Sequence, residues 1–260
     1  MDQILGDQIS APSVGVNAMT DEMMKEKLER NKIPFHTELP HSLTVYLTLL
    51  AEWNMKMDLT AVDTPEEMAD RHMTDSLTVL KTPWIIQGTS LIDVGTGAGF
   101  PGLPIAMARP DISVTLLDAQ KKRLNFLENV CRETNVNNVT LVHARAEDGA
   151  RMIQLREKFD IACARAVAPL NVLAEYLLPF VKIGGKALCW KGPGLSEEME
   201  AGKKAAVILG GKTGEPVSFP IEGRDWQHMI LPIQKIQHTA KIYPRKAGTP
   251  KSHPLGTGNT

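Results

Sequence analysis

The sequence predicts an α/β protein: a mostly parallel sheet, closed by an antiparallel C-terminal hairpin and preceded by a helical extension. Three observations predict it. From Leu91 onward, short apolar runs alternate with longer amphipathic stretches. A cluster of glycines separates the first run from the first stretch. The last two apolar runs, Val217–Ile221 and His228–Ile233, follow one another without a helix between them. Strands separated by helices pair in parallel through right-handed crossovers, whereas two strands joined by a short loop pair antiparallel.

Residues 1–35 are polar, with mixed charge over Asp21 to Lys32, and read as a loose leader followed by a short helix. His41 to Asn54 places Leu43, Tyr46, Leu47, Leu50 and Trp53 on one helical face. A second helix is expected over Pro65 to Leu80. Strands then fall at Leu91–Val94, Val114–Leu117, Val139–His143, Phe159–Ala164 and Lys186–Trp190. Helices fall at Pro101–Arg109, Lys121–Thr134, Leu170–Phe180 and Ser196–Leu209, with Pro101 suited to a first helical turn. The division is a leader and helical extension at 1–85, an α/β domain at 86–235 and a basic tail at 236–260.

The 260 residues carry a formal net charge of −1, so the chain is no polycation, though a local basic patch is compatible with that balance. Cys131, Cys163 and Cys189 are widely spaced, form no CxxC pair and read as free buried thiols in a reducing, cytoplasmic setting. The start, Met1-Asp2-Gln3-Ile4, lacks the basic and apolar regions of a secretory signal. No apolar stretch approaches the roughly 20 residues of a membrane span. No His/Cys/Asp cluster has metal-ligand spacing, so no metal is expected.

The segment Asp93-Val94-Gly95-Thr96-Gly97-Ala98-Gly99-Phe100-Pro101-Gly102 follows a strand and precedes a helix, the context in which a glycine turn admits a ligand to the backbone. A dinucleotide fingerprint, GxGxxG, needs glycine where Phe100 stands; the spacing here is GxGxG. Asp93 adds a carboxylate that a pyrophosphate would not use. A cofactor carrying an ammonium and a sulfonium would use it, directly or through water, which points to S-adenosylmethionine. A structural turn without ligand is the alternative. Asp118 ends the next strand, about 20 residues beyond the turn, where an acid holds ribose hydroxyls in such folds; capping the Lys121 helix competes for it.

With these residues in view the chain resembles the bacterial small-subunit ribosomal RNA methyltransferase G family, whose Rossmann-like enzymes methylate N7 of a guanosine in 16S rRNA. The resemblance runs from about Leu47 to Leu255. It is carried by Glu52-Trp53-Asn54, Arg71-His72 with Asp75-Ser76-Leu77, the extended GxGxGFPG turn, Leu117-Asp118, Lys122-Arg123 with Phe126-Leu127, Ala144-Arg145-Ala146-Glu147, Arg165-Ala166 and the tail Tyr243-Pro244-Arg245-Lys246-Ala247-Gly248-Thr249-Pro250. It implies that Gly95, Phe100, Ala146, Glu147 and Arg165 line a cofactor site, with Gly97 and Gly99 in the same turn. Many relatives read Asn-Leu-Thr where this chain has Asp58-Leu59-Thr60, which removes an amide at position 58 but keeps an acceptor.

Ala146-Glu147 sits where the adenine ring would lie, though Glu147 equally suits a helix cap. After the fourth strand, amino-group methyltransferases place an Asp or Asn that accepts from the target amine; this chain has Arg165. A guanidinium suits the N7/O6 edge of guanine. Because N7 has a free lone pair, no dedicated general base is expected, and catalysis is mainly positioning; an ion pair at a helix start is the other reading of Arg165. In the tail, Lys241, Arg245, Lys246 and Lys251 suit phosphate contacts, with Tyr243 available for stacking, and Lys182, Lys186 and Lys191, flanking the fifth strand, are candidates to widen that patch. A merely solvated end competes with this. Arg71 and Asp75 read as a surface ion pair, and His72 as structural. The expected partner is 16S rRNA, within the small ribosomal subunit or a precursor. A methyltransferase of another substrate, a non-catalytic RNA-binding protein on this fold and a dehydrogenase are the rival classes.

Overall fold

The computed structural model describes residues 19–62, 64–226 and 228–258; most of the expected leader lies outside them. Helix α1, Asp21–Arg30, starts where the Thr20 hydroxyl accepts from the Met23 amide, with acids in its first turn and Lys27 and Arg30 in its last, as the helix dipole favours. Helix α2, Leu39–Asn54, has Pro40 in its opening turn and buries Leu43, Tyr46, Leu47 and Leu50.

The helix expected over Pro65 to Leu80 is continuous but irregular. Helix α3, Pro65–Met68, passes into a π-helical stretch, Ala69–Thr74, then into α4, Asp75–Leu77, and ends as a 3-10 turn over Thr78–Lys81. π-Helical segments are rare and recur at functional sites. This one carries Arg71 and His72.

Strands β1 (Ser90–Val94), β2 (Ser113–Asp118), β3 (Val139–His143), β4 (Phe159–Arg165) and β5 (Val181–Lys191) are parallel, in the order β3-β2-β1-β4-β5. Strand β8, Met229–Lys235, runs antiparallel to β5. The expected hairpin is smaller than its apolar pattern suggested. Strand β7 is only Val217–Ser218, and β6, Gly211–Thr213, pairs with the far end of β8. Pro216 lies between them and has no N–H for a ladder, so the pairing is interrupted. Strand β5 also begins earlier than its apolar run, crossing Gly184 and Gly185.

Helices α5 (Gly102–Ala108) and α6 (Lys121–Glu133) join α1 and α2 over one face of the sheet. Helices α8 (Leu170–Leu177) and α9 (Leu195–Ile208) cover the other, beside the short α7 (Ala146–Gly149). Strand β1 shows the period-2 alternation: Leu91 belongs to the first core, Ile92 and Val94 to the second. Phe126 of α6 is fully buried between Tyr46 and Trp53 of α2, with ring centroids 6.1 and 5.5 Å away. Such aromatic pairs each add about 1 kcal/mol beyond their buried area and fasten the extension to the sheet.

Residues 236–258 return to the α8 side. Arg156 donates to the Thr239 and Tyr243 carbonyls at 2.8 Å, and Asn171 donates to the Leu255 carbonyl at 2.8 Å. The short helix α10, Thr249–Ser252, lies within this segment. Among the described residues no helix is long and apolar enough to cross a membrane. The strand order reverses between β1 and β4, which opens a crevice at their carboxyl ends, the place where open α/β sheets bind ligands.

Candidate active site

A cavity of about 550 Å³ opens in that crevice, within the range for small-molecule cofactors. The Gly95–Ala98 backbone forms its floor, and Phe100, Asp118, Ala146, Glu147 and Arg165 line it. Asp93 lies behind the turn and does not line the cavity. It is fully buried; its Oδ2 accepts from the Thr96 hydroxyl at 2.7 Å and the Gly102 amide at 2.9 Å, tying the two ends of the turn together. Its Oδ1 has no partner among the described residues, and burial pushes the carboxyl up to about 6. Gly99 also sits behind the turn. Its φ is +103°, and a Cβ there would run into the Tyr46 hydroxyl, which donates to the Ala98 carbonyl. At Gly102 a Cβ would stand 2.7 Å from the Asp93 Cβ and 2.5 Å from Leu116. Glycine is needed there for close approach rather than for its dihedrals.

Asp118 lines the cavity and ties the glycine turn to the residues that lead into α6. Its Oδ2 accepts from the Gly97 amide at 2.9 Å and its Oδ1 from the Gln120 amide at 2.8 Å, at the entry to α6. Each oxygen keeps a lone pair for a ligand hydroxyl. Glu147 accepts from the Gly248 amide at 2.9 Å, so the tail forms a wall of the cavity, and Gly248 and Lys251 line it. The glycine floor and two acceptor carboxylates fit the backbone, ribose and amino groups of S-adenosylmethionine.

A second cavity of about 580 Å³ adjoins the first, lined by Thr60, Arg71, His72, Asp75, Trp190, Lys191, Glu198 and His228 among others. Arg165 and His72 line both cavities. Arg165 extends over the Phe100 ring, 5.1 Å from its centroid, and His72 stacks on that ring at 4.6 Å. Arg165 Nη1 donates to the Arg71 carbonyl at 2.5 Å and to Asp75 Oδ2 at 3.1 Å; Nη2 donates to His72 Nδ1 at 3.1 Å. A guanidinium cannot accept, so His72 Nδ1 is the acceptor and its Nε2–H donates to the Thr60 hydroxyl at 2.7 Å.

Asp75 corrects the surface ion pair read for it. It is 2 % exposed and pairs with Arg165 and His228, while Arg71 pairs with Glu67 and lies over Trp226. Of the tail residues, Arg245 is committed to the buried Glu175 and Tyr243 packs against the second core, whereas Lys241, Lys246 and Lys251 are exposed. Lys191 and Lys182 are paired with Glu198 and Asp160. Position 58 is exposed; the amide that orders the following loop belongs to Asn54, whose Oδ1 accepts from the Leu59 and Thr60 amides at 2.9 Å. His228 and Trp190 were not singled out from sequence. His228 sits at the start of an apolar strand, and only the fold brings it to Asp75.

Burial, and then the Arg165 guanidinium, push the His72 pKa down to about 3. As pH falls below the ordinary 6.5, the unfolded chain protonates this histidine while the folded chain does not, so stability is lost between 6.5 and about 3. Asp93 acts oppositely: above its ordinary 3.8 and up to about 6 the folded chain holds the extra proton, so stability rises as pH falls through that window. The His72→Gln variant removes the first effect alone. Between pH 7 and pH 5 its stability should therefore shift in favour of acid by about 2 kcal/mol relative to the parent. Urea unfolding at both pH values measures this; an unchanged pH response contradicts it.

A parallel sheet with a glycine turn at its switch point, an acid ending the next strand and an antiparallel strand beyond β5 define a class I, S-adenosylmethionine-dependent methyltransferase. The family described as rRNA small subunit methyltransferase G matches residues 40–226. The chain is 44% identical over 234 residues to Ribosomal RNA small subunit methyltransferase G of Alkaliphilus oremlandii, covering 90% of this chain and 98% of that one. To the protein of that name in Clostridium perfringens it is 43% identical over 234 residues, with the same coverage. The chain belongs to the rRNA small subunit methyltransferase G family. In fold alone it is similar to a putative transferase from Pyrococcus horikoshii, with a TM-score of 0.51 at 15% identity over 67% of this chain and 64% of that one.

Proposed function

We propose that the protein transfers a methyl group from S-adenosylmethionine to N7 of a guanosine in 16S rRNA of the small ribosomal subunit, in the cytoplasm. One observation carries the reading: the wall shared by the two cavities, formed by His72, Arg165 and Ala166 among the described residues, presents a fixed guanidinium and no free acceptor beside it to take a proton from an amine. His72 has its Nδ1 lone pair engaged and its pKa near 3, and both oxygens of Asp75 are paired. An exocyclic amine must lose a proton on methylation; N7 has none to lose. Arg165 uses three of a guanidinium's five N–H donors within the protein, which leaves a donor for O6 beside N7 while the N7 lone pair stays free.

Bound S-adenosylmethionine supplies an electrophilic methyl group on a cationic sulfur. In this reading the Gly95–Gly97 backbone and Asp118 hold its ribose side, Ala146 and Glu147 hold its adenine side, and Phe100 underlies Arg165. The residues then act by orienting the lone pair toward the methyl group, which is catalysis by positioning. The exposed Lys241, Lys246 and Lys251 contact RNA phosphates, and a preformed ribonucleoprotein surface is the favoured substrate. Mass spectrometry of 16S rRNA from cells with and without the protein tests the assignment. One 7-methylguanosine should disappear with the protein; unchanged 7-methylguanosine at every position overturns it. A non-catalytic RNA-binding protein would bind the RNA and transfer no label from methyl-tritiated cofactor.

A further inference from the structure

The second cavity is lined by a histidine with one free ring nitrogen. Asp75 Oδ1 takes His228 Nδ1 at 3.0 Å, while its Oδ2 takes Arg165 at 3.1 Å. A carboxylate donates nothing, so Nδ1 carries the hydrogen, and in the neutral ring Nε2 is left as an acceptor. Nε2 has no partner among the described residues, and the side chain is 33% exposed. Stacking on Trp226, with centroids 5.9 Å apart, holds the ring plane. Glu198, another acceptor lining this cavity, is engaged by Lys191 at 2.5 Å and by the Leu170 amide.

One buried carboxylate therefore sets a donor and an acceptor at a fixed spacing. Arg165 lines both cavities, whereas His228 lines only the one farther from the glycine turn. Guanine has a matching edge: N7 and O6 accept, and beyond O6 the N1–H donates. Adenine reverses both of the latter groups, presenting an amine where O6 stands and a lone pair at N1.

We infer that His228 is a specificity-determining residue that accepts from the N1–H of the target guanine while Arg165 donates to its O6, leaving the N7 lone pair free for the methyl group. This rests on the guanine-N7 reading above. Losing the His228 contact should cost roughly 10- to 100-fold.

The His228→Asn variant separates this role from a structural one, because its amide takes the place of Nδ1 on Asp75 and has no atom at the position of Nε2. His228→Gln instead reaches the position of Nε2. Small ribosomal subunits from cells lacking the protein serve as substrate, with methyl-tritiated cofactor. In the Asn variant kcat/KM for the particle should fall at least about tenfold, with cofactor Kd and Tm unchanged, and Gln should recover most of the loss. Parental kcat/KM in the Asn variant overturns the inference. So does a loss of cofactor affinity in step with rate, or a Gln variant no better than Asn. Should Asn lose the fold, the comparison of Gln with Ala decides in its place. Digestion of the parent's labelled product keeps the two readings apart: label absent from 7-methylguanosine refutes the guanine-N7 reading whatever His228 does.

Discussion

Replacing Arg245 by Met should lower the unfolding free energy by about 3–5 kcal/mol, a large share of the stability of a domain this size. Glu175, in α8, is fully buried. Its carboxylate receives the Arg245 backbone amide at 2.7 Å, Nε at 3.0 Å and Nη2 at 2.6 Å. Met fills the volume of the stem but leaves a buried carboxylate with only the backbone donor. That group must then stay ionised without a partner or take up a proton, and either is costly. The double variant Glu175→Leu with Arg245→Met should regain most of the loss, because a buried ion pair exchanged for an apolar pair is close to neutral. Urea unfolding of the parent and the two variants measures this. A cost below about 1 kcal/mol for Arg245→Met would mean that the pair is no more than a surface bridge.

That pair also marks where the sequence stops being legible. Periodicity located α2 and α6 because each buries one face, and short apolar runs located β1 to β4 because helices pack on both faces of the sheet. The glycine turn was legible for a similar reason: its backbone demands and the Asp93–Gly102 tie fall within ten positions. Arg245 and Glu175 are 70 positions apart, and a count of tail cations cannot tell a lysine facing solvent from an arginine held under a helix. Asp75 was misread likewise. On a regular helix it would face Arg71; the π-helical stretch and the arrival of residues 165 and 228 turn it inward. Strand β6 left no trace, since Gly-Lys-Thr has no periodicity and is ordered by the β8 edge alone. The departure at position 58 looked important only because the ordering amide was sought there. Asn54, four residues earlier, caps the loop from the end of α2.

Arg165→Lys should reduce kcat by about 100-fold while changing cofactor Kd no more than about threefold. The substitution keeps the charge, so Asp75 retains a cationic partner and the fold persists. What it removes is the fork. In the parent one planar group reaches Asp75, the Arg71 carbonyl and His72 Nδ1 together while lying over Phe100. An ammonium is a single point with three donors on a flexible stem, and cannot meet these partners while presenting a flat donor edge to a base. A misplacement near 1 Å is enough for a loss of that size, equivalent to about 2.7 kcal/mol in the barrier. Arg165→Ala is the blunter variant, since it also leaves Asp75 short of a charge and confounds rate with stability. Single-turnover methyl transfer alongside calorimetric cofactor binding separates the two quantities. Full turnover in the Lys variant removes Arg165 from the positioning of the base. A parallel loss of cofactor affinity would instead assign it to the first cavity alone, and the shared wall would then be a partition rather than the point where base and methyl group are brought into line.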